Sequence, residues 1–192
     1  MARQSEIRKT MIIREAAILF REKGYMAANL RRLAKRAGIQ GGSLYYHFES
    51  KQDILFTIMN HTMDDLLALA DACRARGGSP PDSLRWAIQE HIKYHVENIN
   101  ETYVTDNELK SLDSAYLAII NDKRSAYEVF FEEILSEGVK QGLFQINDIK
   151  VITYGILQIS TGTSVWFKEG GRLTADQISE IYFNLIYQGI KK

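Results

Sequence analysis

Apolar residues recur at helical spacing along nearly the whole chain, and the alternating β-branched runs that mark strands do not occur. Ile13, Ala16, Ala17 and Phe20 give residues 5–23 one apolar face. Leu30, Leu33, Ala34 and Ala37 do the same for a shorter segment whose other face carries Arg31, Arg32, Lys35 and Arg36. Gly38 follows the last periodic residue, where a glycine takes the left-handed conformation that closes a helix, and Ile39 behind it can fold back onto that helix. The chain restarts at once, with Leu44 and Phe48 as the buried pair of a second short helix that leaves Gly42, Ser43, Tyr45, Tyr46 and His47 pointing outward. A helix of about seven residues is roughly 10 Å long and fits a DNA major groove roughly 12 Å wide. Two short helices meeting at a tight turn in this way predict a helix-turn-helix.

The rest of the pattern is also helical. A helix over 51–73 leads away from the helix-turn-helix, and RARGGSPP after it is the clearest loop in the chain. Ser79 with Asp82 three residues on, and Pro80 in the first helical position, starts a helix that runs to about Asn98. Helices over 101–111, 113–141, 148–168 and 174–189 complete an all-α chain, with Gly142 closing the second of them and Thr174 with Gln177 forming a capping box at the start of the last. The expected organisation is a three-helix DNA-binding domain at residues 1–50 and a helical effector-binding and dimerisation domain at residues 51–192.

Charge sharpens this division. The chain carries 24 basic and 24 acidic side chains, yet residues 1–51 hold 11 Lys or Arg against 4 Asp or Glu, which leaves 13 basic and 20 acidic groups for the remainder. A neutral protein is thus a basic segment joined to an acidic one, and phosphate is attracted to the first alone. At 45% hydrophobic content the chain can bury a substantial core, and it has neither a run of 18 apolar residues nor a signal-peptide pattern. With Cys73 as its single cysteine it forms neither an internal disulfide nor a cysteine metal cluster, which fits a reducing cytoplasm and no membrane partner.

Several positions invite chemistry. His91 and His95 share a stripe with Leu84 and Ile88 at i, i+4 spacing, which suits a metal; without an HExxH glutamate or a nearby cysteine, histidines satisfied inside a core or cavity are the expected reading, with no metal and no cofactor. Lys123 interrupts the apolar face formed by Ile120, Tyr127, Phe130 and Ile134, with Arg124 beside it, a place for an amphiphile with an anionic end or for a snorkelling lysine. Gly155 and Gly162 lie on one helix face where another helix can cross closely, and Ile178, Ile181, Tyr182, Leu185 and Ile186 form a stripe wider than one partner needs. These two C-terminal helices are the expected dimer contact, since a helix-turn-helix normally reads two half-sites. Gly41 and Gly42 each cost a helix roughly 1 kcal/mol relative to Ala, which close approach to a phosphate backbone or to the partner helix would explain.

Residues 5–55 resemble the DNA-binding domain of the TetR/AcrR family of transcriptional regulators, through Gly42, Ser43, Leu44, Tyr45, Tyr46, His47, Phe48 and Lys51. The resemblance implies an all-helical homodimer with a ligand cavity and a four-helix dimer contact in its C-terminal helices. It implies that Arg31 and Ser43 read base edges, that Tyr45, His47 and Lys51 grip phosphates, and that Tyr46 packs on sugar or a thymine methyl. The chain departs from the family at Ala28, where Ser or Thr is usual, and at Gly41, often Lys; Asn29 is the expected replacement cap. LSEGVKQGLF at 135–144 and VWFKEGGRLTADQ at 165–177 are similar to TetR-like regulators of fatty-acid and sterol catabolism, whose effectors are acyl-coenzyme A thioesters. On that resemblance Tyr116, Tyr127, Phe131, Tyr154 and Trp166 line an acyl cavity, with Lys123, Arg124 and Arg172 for the phosphates.

The expected function is a homodimeric repressor of double-stranded DNA operators, released by a small-molecule effector that moves the helix following the helix-turn-helix and so changes the spacing of the two DNA-reading domains. A multidrug sensor of the same family is the nearest alternative. A small-molecule enzyme using His91 or His95 as base lacks any accompanying nucleophile elbow, phosphate loop or paired-carboxylate cleft. An architectural DNA binder without effector would show a large salt slope and no ligand response.

Overall fold

The computed structural model describes residues 2–192 and is helical throughout. The elements are α1 (Ala2–Lys23), α2 (Leu30–Arg36), α3 (Gly41–His47), α4 (Lys51–Arg76), α5 (Pro80–Glu97), α6 (Ile99–Asn107), a 3₁₀ turn (Leu109–Ser111), α7 (Ser114–Lys140), α8 (Ile149–Trp166) and α9 (Ala175–Ile190). The local signals perform as chemistry requires. Ser79 caps α5, Asp148 caps α8 through the Val151 N–H, and Thr174 with Gln177 closes a reciprocal capping box on α9.

The chain forms two compact units, and the boundary between them falls inside α4. The first takes residues up to Met63 together with Ile99–Asn121. Ile12, Ala16, Ala17, Leu19 and Phe20 of α1 are buried there with Leu33, Leu44, Phe48, Ile54 and Leu55. The unit extends beyond residue 50 because α6 and the 3₁₀ turn are tied to the helix-turn-helix segment: Arg21 donates to Asn100 (3.1 Å), the Tyr25 amide to Glu108 (2.9 Å) and the Gln52 amide to the Ser111 carbonyl (2.6 Å). These ties join residues 59 to 83 positions apart, which sequence periodicity does not register.

The second unit comprises Asp64–Asn98 and Asp122–Lys192. Here α5 packs against α8 and α9 around Leu84, Ile88, Ile92, Phe131, Leu135, Ile156 and Phe183. Its tightest junction is Gly138 on α7, where an added Cβ would stand 2.0 Å from the edge of the Phe144 ring. That ring is held by the backbone around it, the Gln145 amide donating to the Ile190 carbonyl (2.7 Å) and the Lys192 amide to the Leu143 carbonyl (3.1 Å). Gly138→Ala is therefore expected to destabilise by about 1–3 kcal/mol, as overpacking does, despite alanine's better helix propensity. Denaturant unfolding checks it; an unchanged midpoint would show that Phe144 moves aside freely.

Candidate functional site

The helix-turn-helix is built by its caps. Asn29 Oδ1 accepts the Arg31 amide at 2.8 Å, the substitute cap expected for a chain with Ala28 in the preceding position. Gly38 sits at φ +64°, with the Ile39 amide bonded to the Ala34 carbonyl (3.0 Å) and the Gly38 amide to the Lys35 carbonyl (3.2 Å), the bond pair of a Schellman stop. On α3, Leu44 and Phe48 are buried, while Gly42, Ser43, Tyr45 and Tyr46 are exposed, Tyr46 to 82%. The Tyr46 ring therefore takes no part in the core that the other side of α3 joins. His47 is half-buried and meets the Tyr46 ring edge-on.

Cβ atoms built on Gly41 and Gly42 meet nothing within 4 Å, so close packing inside the helix-turn-helix is not what these glycines serve. Gly42 instead lines a cleft of about 530 Å³ with Ser43, Tyr46, His47, Gln40, Ser5 and Arg8. Periodicity gives α1 a packing role alone, yet Arg8 and Ser5 continue its buried Ile12–Ala16 line by one and two turns, past the end of the core, and bring a cation to the α3 face. Arg8→Ala is expected to lower the salt slope of DNA binding by about one unit for all sequences alike, and an unchanged slope would remove Arg8 from the contact surface.

Two other cations are less available than the sequence suggests. Lys51 donates to the Met26 carbonyl at 3.2 Å and lies 4.4 Å over the Tyr25 ring, and its partial burial lowers the ammonium's pKa. A lysine held in this way is an anchor for the α1–α2 connection as well as a candidate phosphate grip. Arg36 pairs with Glu15 (2.9 Å) and Glu22 (3.0 Å), while Arg31 is exposed.

The expected effector residues are distributed over both units. Tyr116 stacks on Phe56 (4.2 Å) within the first unit, whereas Tyr127 and Phe131 are core residues of the second. Lys123 forms an ion pair with Asp64, which removes it as an unneutralised rim cation. Tyr154 and Trp166 stand half-exposed on α8, Tyr154 within cation–π range of Lys150, because their phase on the helix is opposite that of buried Thr153 and Ser160. Arg172 is exposed on the α8–α9 loop and Arg124 is half-buried.

The second unit also holds a buried polar cluster. His91 Nδ1 is 3.1 Å from the Tyr127 hydroxyl and its Nε2 3.0 Å from the Thr161 hydroxyl, while His95 Nδ1 donates to the His91 carbonyl at 2.9 Å and the two rings stack at 4.0 Å. Burial, reinforced by the neighbouring His95, pushes the His91 pKa well below its ordinary value, and burial raises that of Tyr127. The neutral imidazole therefore passes hydrogen bonds between two hydroxyls. Both of its nitrogens are engaged, which leaves neither positioned as a free base, and among the described residues no group of three or more His, Cys, Asp or Glu could hold a metal ion.

Comparison with known proteins agrees with this geometry. Residues 77–190 match the tetracyclin repressor-like C-terminal domain, and residues 12–58 match the bacterial regulatory proteins of the tetR family. The chain belongs to the TetR family. Among its relatives is the HTH-type transcriptional repressor KstR2 of Mycobacterium tuberculosis, 27% identical over 196 residues, 100% of this chain and 97% of that protein. The fatty acid metabolism regulator protein of Bacillus subtilis is 24% identical over 185 residues, 95% of each chain. The crystal structure of AibR, solved with isovaleryl coenzyme A and operator DNA, superposes with a TM-score of 0.85 at 26% identity, covering 94% of this chain and 98% of that one. These relatives are transcriptional regulators, so the TetR-family chain is a regulator and not an enzyme.

In this TetR-family chain the outer face of α8 is apolar. Val151, Val165 and Trp166 are exposed, Gly155 and Gly162 have open space where a Cβ would stand, and Ile181 and Leu185 of α9 are exposed at 51% and 63%. Tyr182 is half-buried. Ile178, expected in the dimer contact, is 3% exposed and belongs to the protomer core with Phe183, since the wide stripe of α9 is two faces, one turned inward and one outward. Among the described residues no helix is long and apolar enough to cross a membrane.

Proposed function

We propose that this chain is a homodimeric, cytoplasmic repressor that leaves its operator when a coenzyme A thioester occupies the second unit. The observation that carries the DNA half is the exposed face of α3, with Tyr46 82% exposed beside Ser43, Tyr45 and His47. Arg31 and Ser43 read base edges; Tyr45 and His47 hold phosphates, helped by Lys51; Tyr46 packs on sugar or a thymine methyl; and Gly42 lets the backbone of the helix approach the strand. Gly155, Gly162, Val165, Ile181, Tyr182 and Leu185 form the dimer contact.

AibR, crystallised with isovaleryl coenzyme A and operator DNA together, supports thioester binding by analogy, while release from the operator is proposed for this chain on the course of α4. The acyl end enters the interior around Tyr127, Phe131 and His91, and Arg124 and Arg172 are candidate partners for the phosphates. Because α4 runs from the first unit into the second, an effector that favours one position of α4 shifts the population away from the DNA-binding state. Fluorescence anisotropy on labelled operator DNA tests this: isovaleryl coenzyme A is expected to release the protein and free isovalerate to fail. Release by uncharged hydrophobic drugs as readily as by the thioester would return the protein to the multidrug-sensing class.

A further inference from the structure

The face that α8 turns inward carries four hydroxyl side chains around the single buried Ile156. Thr153, Ser160, Thr163 and Ser164 are buried, while Val151, Val165 and Trp166 of the same helix are exposed. At 100° per residue, Thr153, Ser160 and Ser164 fall within about 40° of one another, with Thr163 adjacent. An amphipathic helix packed on an ordinary core has the opposite arrangement.

Ser164 satisfies itself by donating to the Thr161 carbonyl at 2.9 Å, and Thr161 reaches His91. The hydroxyls of Thr153, Ser160 and Thr163 have no hydrogen-bond partner, although a helical Ser or Thr can usually turn to the carbonyl one turn back. A buried hydroxyl left unpaired opposes folding. Three on one helix, next to a network that is complete on its His91–Tyr127 side, are a polar wall waiting for a partner.

We propose that the buried part of the effector carries oxygen, as a hydroxy- or oxo-acyl group hydrogen-bonded by Ser160, Thr163 and Thr153, rather than a saturated hydrocarbon chain. The inference rests on the coenzyme A reading and names the acyl chemistry. Ser160 and Thr163 stand about 4.5 Å apart along the helix axis, close enough to share one oxygen, and Thr153 lies about 10 Å from Ser160, in place for a second. A saturated chain would leave all three hydroxyls as unpaired as they are without ligand, so the wall discriminates in favour of the oxygenated chain.

Calorimetric titration with octanoyl-, 3-hydroxyoctanoyl- and 8-hydroxyoctanoyl-coenzyme A tests it. At least one hydroxylated thioester is expected to bind tenfold or more tighter than octanoyl-coenzyme A. In the double variant Ser160→Ala, Thr163→Val that preference is expected to disappear and the melting temperature of the ligand-free protein to rise, since two unpaired hydroxyls are gone. Equal binding of all three thioesters by the wild-type protein would overturn the inference while leaving the coenzyme A reading intact. No binding of any of them would overturn both. A preference that survives in the double variant would assign the selectivity elsewhere and overturn it too; should that variant not fold, the wild-type comparison decides alone.

Discussion

Gly162→Arg is expected to yield a folded monomer whose operator affinity is lower by about two to four orders of magnitude, the gain that joining two half-site readers supplies. Nothing in the protomer lies within 4 Å of a Cβ at Gly162, so the arginine has room within its own chain. Replacing a mid-helix glycine also adds helix propensity of up to roughly 1 kcal/mol. Loss of the dimer removes the stabilisation that association lends the native state, so the variant should melt earlier, and an unchanged helical circular dichroism spectrum then shows that the loss reports the contact and not the fold. Leu185→Arg, at a position 63% exposed on α9, should act in the same direction. Sedimentation velocity with an operator-binding titration separates the outcomes: dimers that persist in both variants would place the contact on another surface.

Much of the fold could be read from sequence because its signals are local. Asn29, Gly38, Ser79, Asp148 and the Thr174–Gln177 pair each act within a few residues, and each caps or stops a helix as expected. What the sequence hid is long-range. Lys51 meets the Met26 carbonyl 25 residues away, and Lys123 meets Asp64 59 residues away, so two cations that look available are engaged. Tyr116 has the composition of a cavity residue and instead stacks on Phe56. The compact units cut across α4 for the same reason, since ties such as Arg21–Asn100 are formed by folding and not by periodicity.

The buried cluster shows a different failure. His91 and His95 could be placed on one helix face from spacing, but periodicity counts threonine and serine as polar and sends them outward. On α8 that assignment is inverted, and Tyr154 and Trp166 were expected inside where Thr153 and Ser160 are. Hydroxyl-bearing residues at i, i+7 and i+10 of an otherwise apolar helix were the available signal. Burial of the helix on both sides would have explained it, one side by the α5 packing seen here and the other by the proposed dimer.

The neutral state of His91 carries a second large effect, on stability as a function of pH. An unfolded histidine titrates near 6.5, whereas in the native state burial, and secondarily His95, holds the pKa of His91 well below that. Tyr127 and Thr161 face the same ring and stay uncharged in this range, so no carboxylate among its hydrogen-bond partners offsets the cost of protonation. Below pH 6.5 the unfolded chain therefore binds a proton that the native one refuses, and the stability present above 6.5 is lost as pH falls, by up to about 1.4 kcal/mol per unit while the native ring stays neutral. His91→Phe should be less stable than wild type at pH 8, having lost the bonds to Tyr127 and Thr161, yet decline less steeply below 6.5. Urea unfolding at pH 8, 6.5 and 5 measures both slopes. Parallel decline in the two proteins would mean that His91 accepts its proton without unfolding, through a rotation that brings the ring to water and breaks the hydrogen-bond chain on which the polar wall of α8 is anchored.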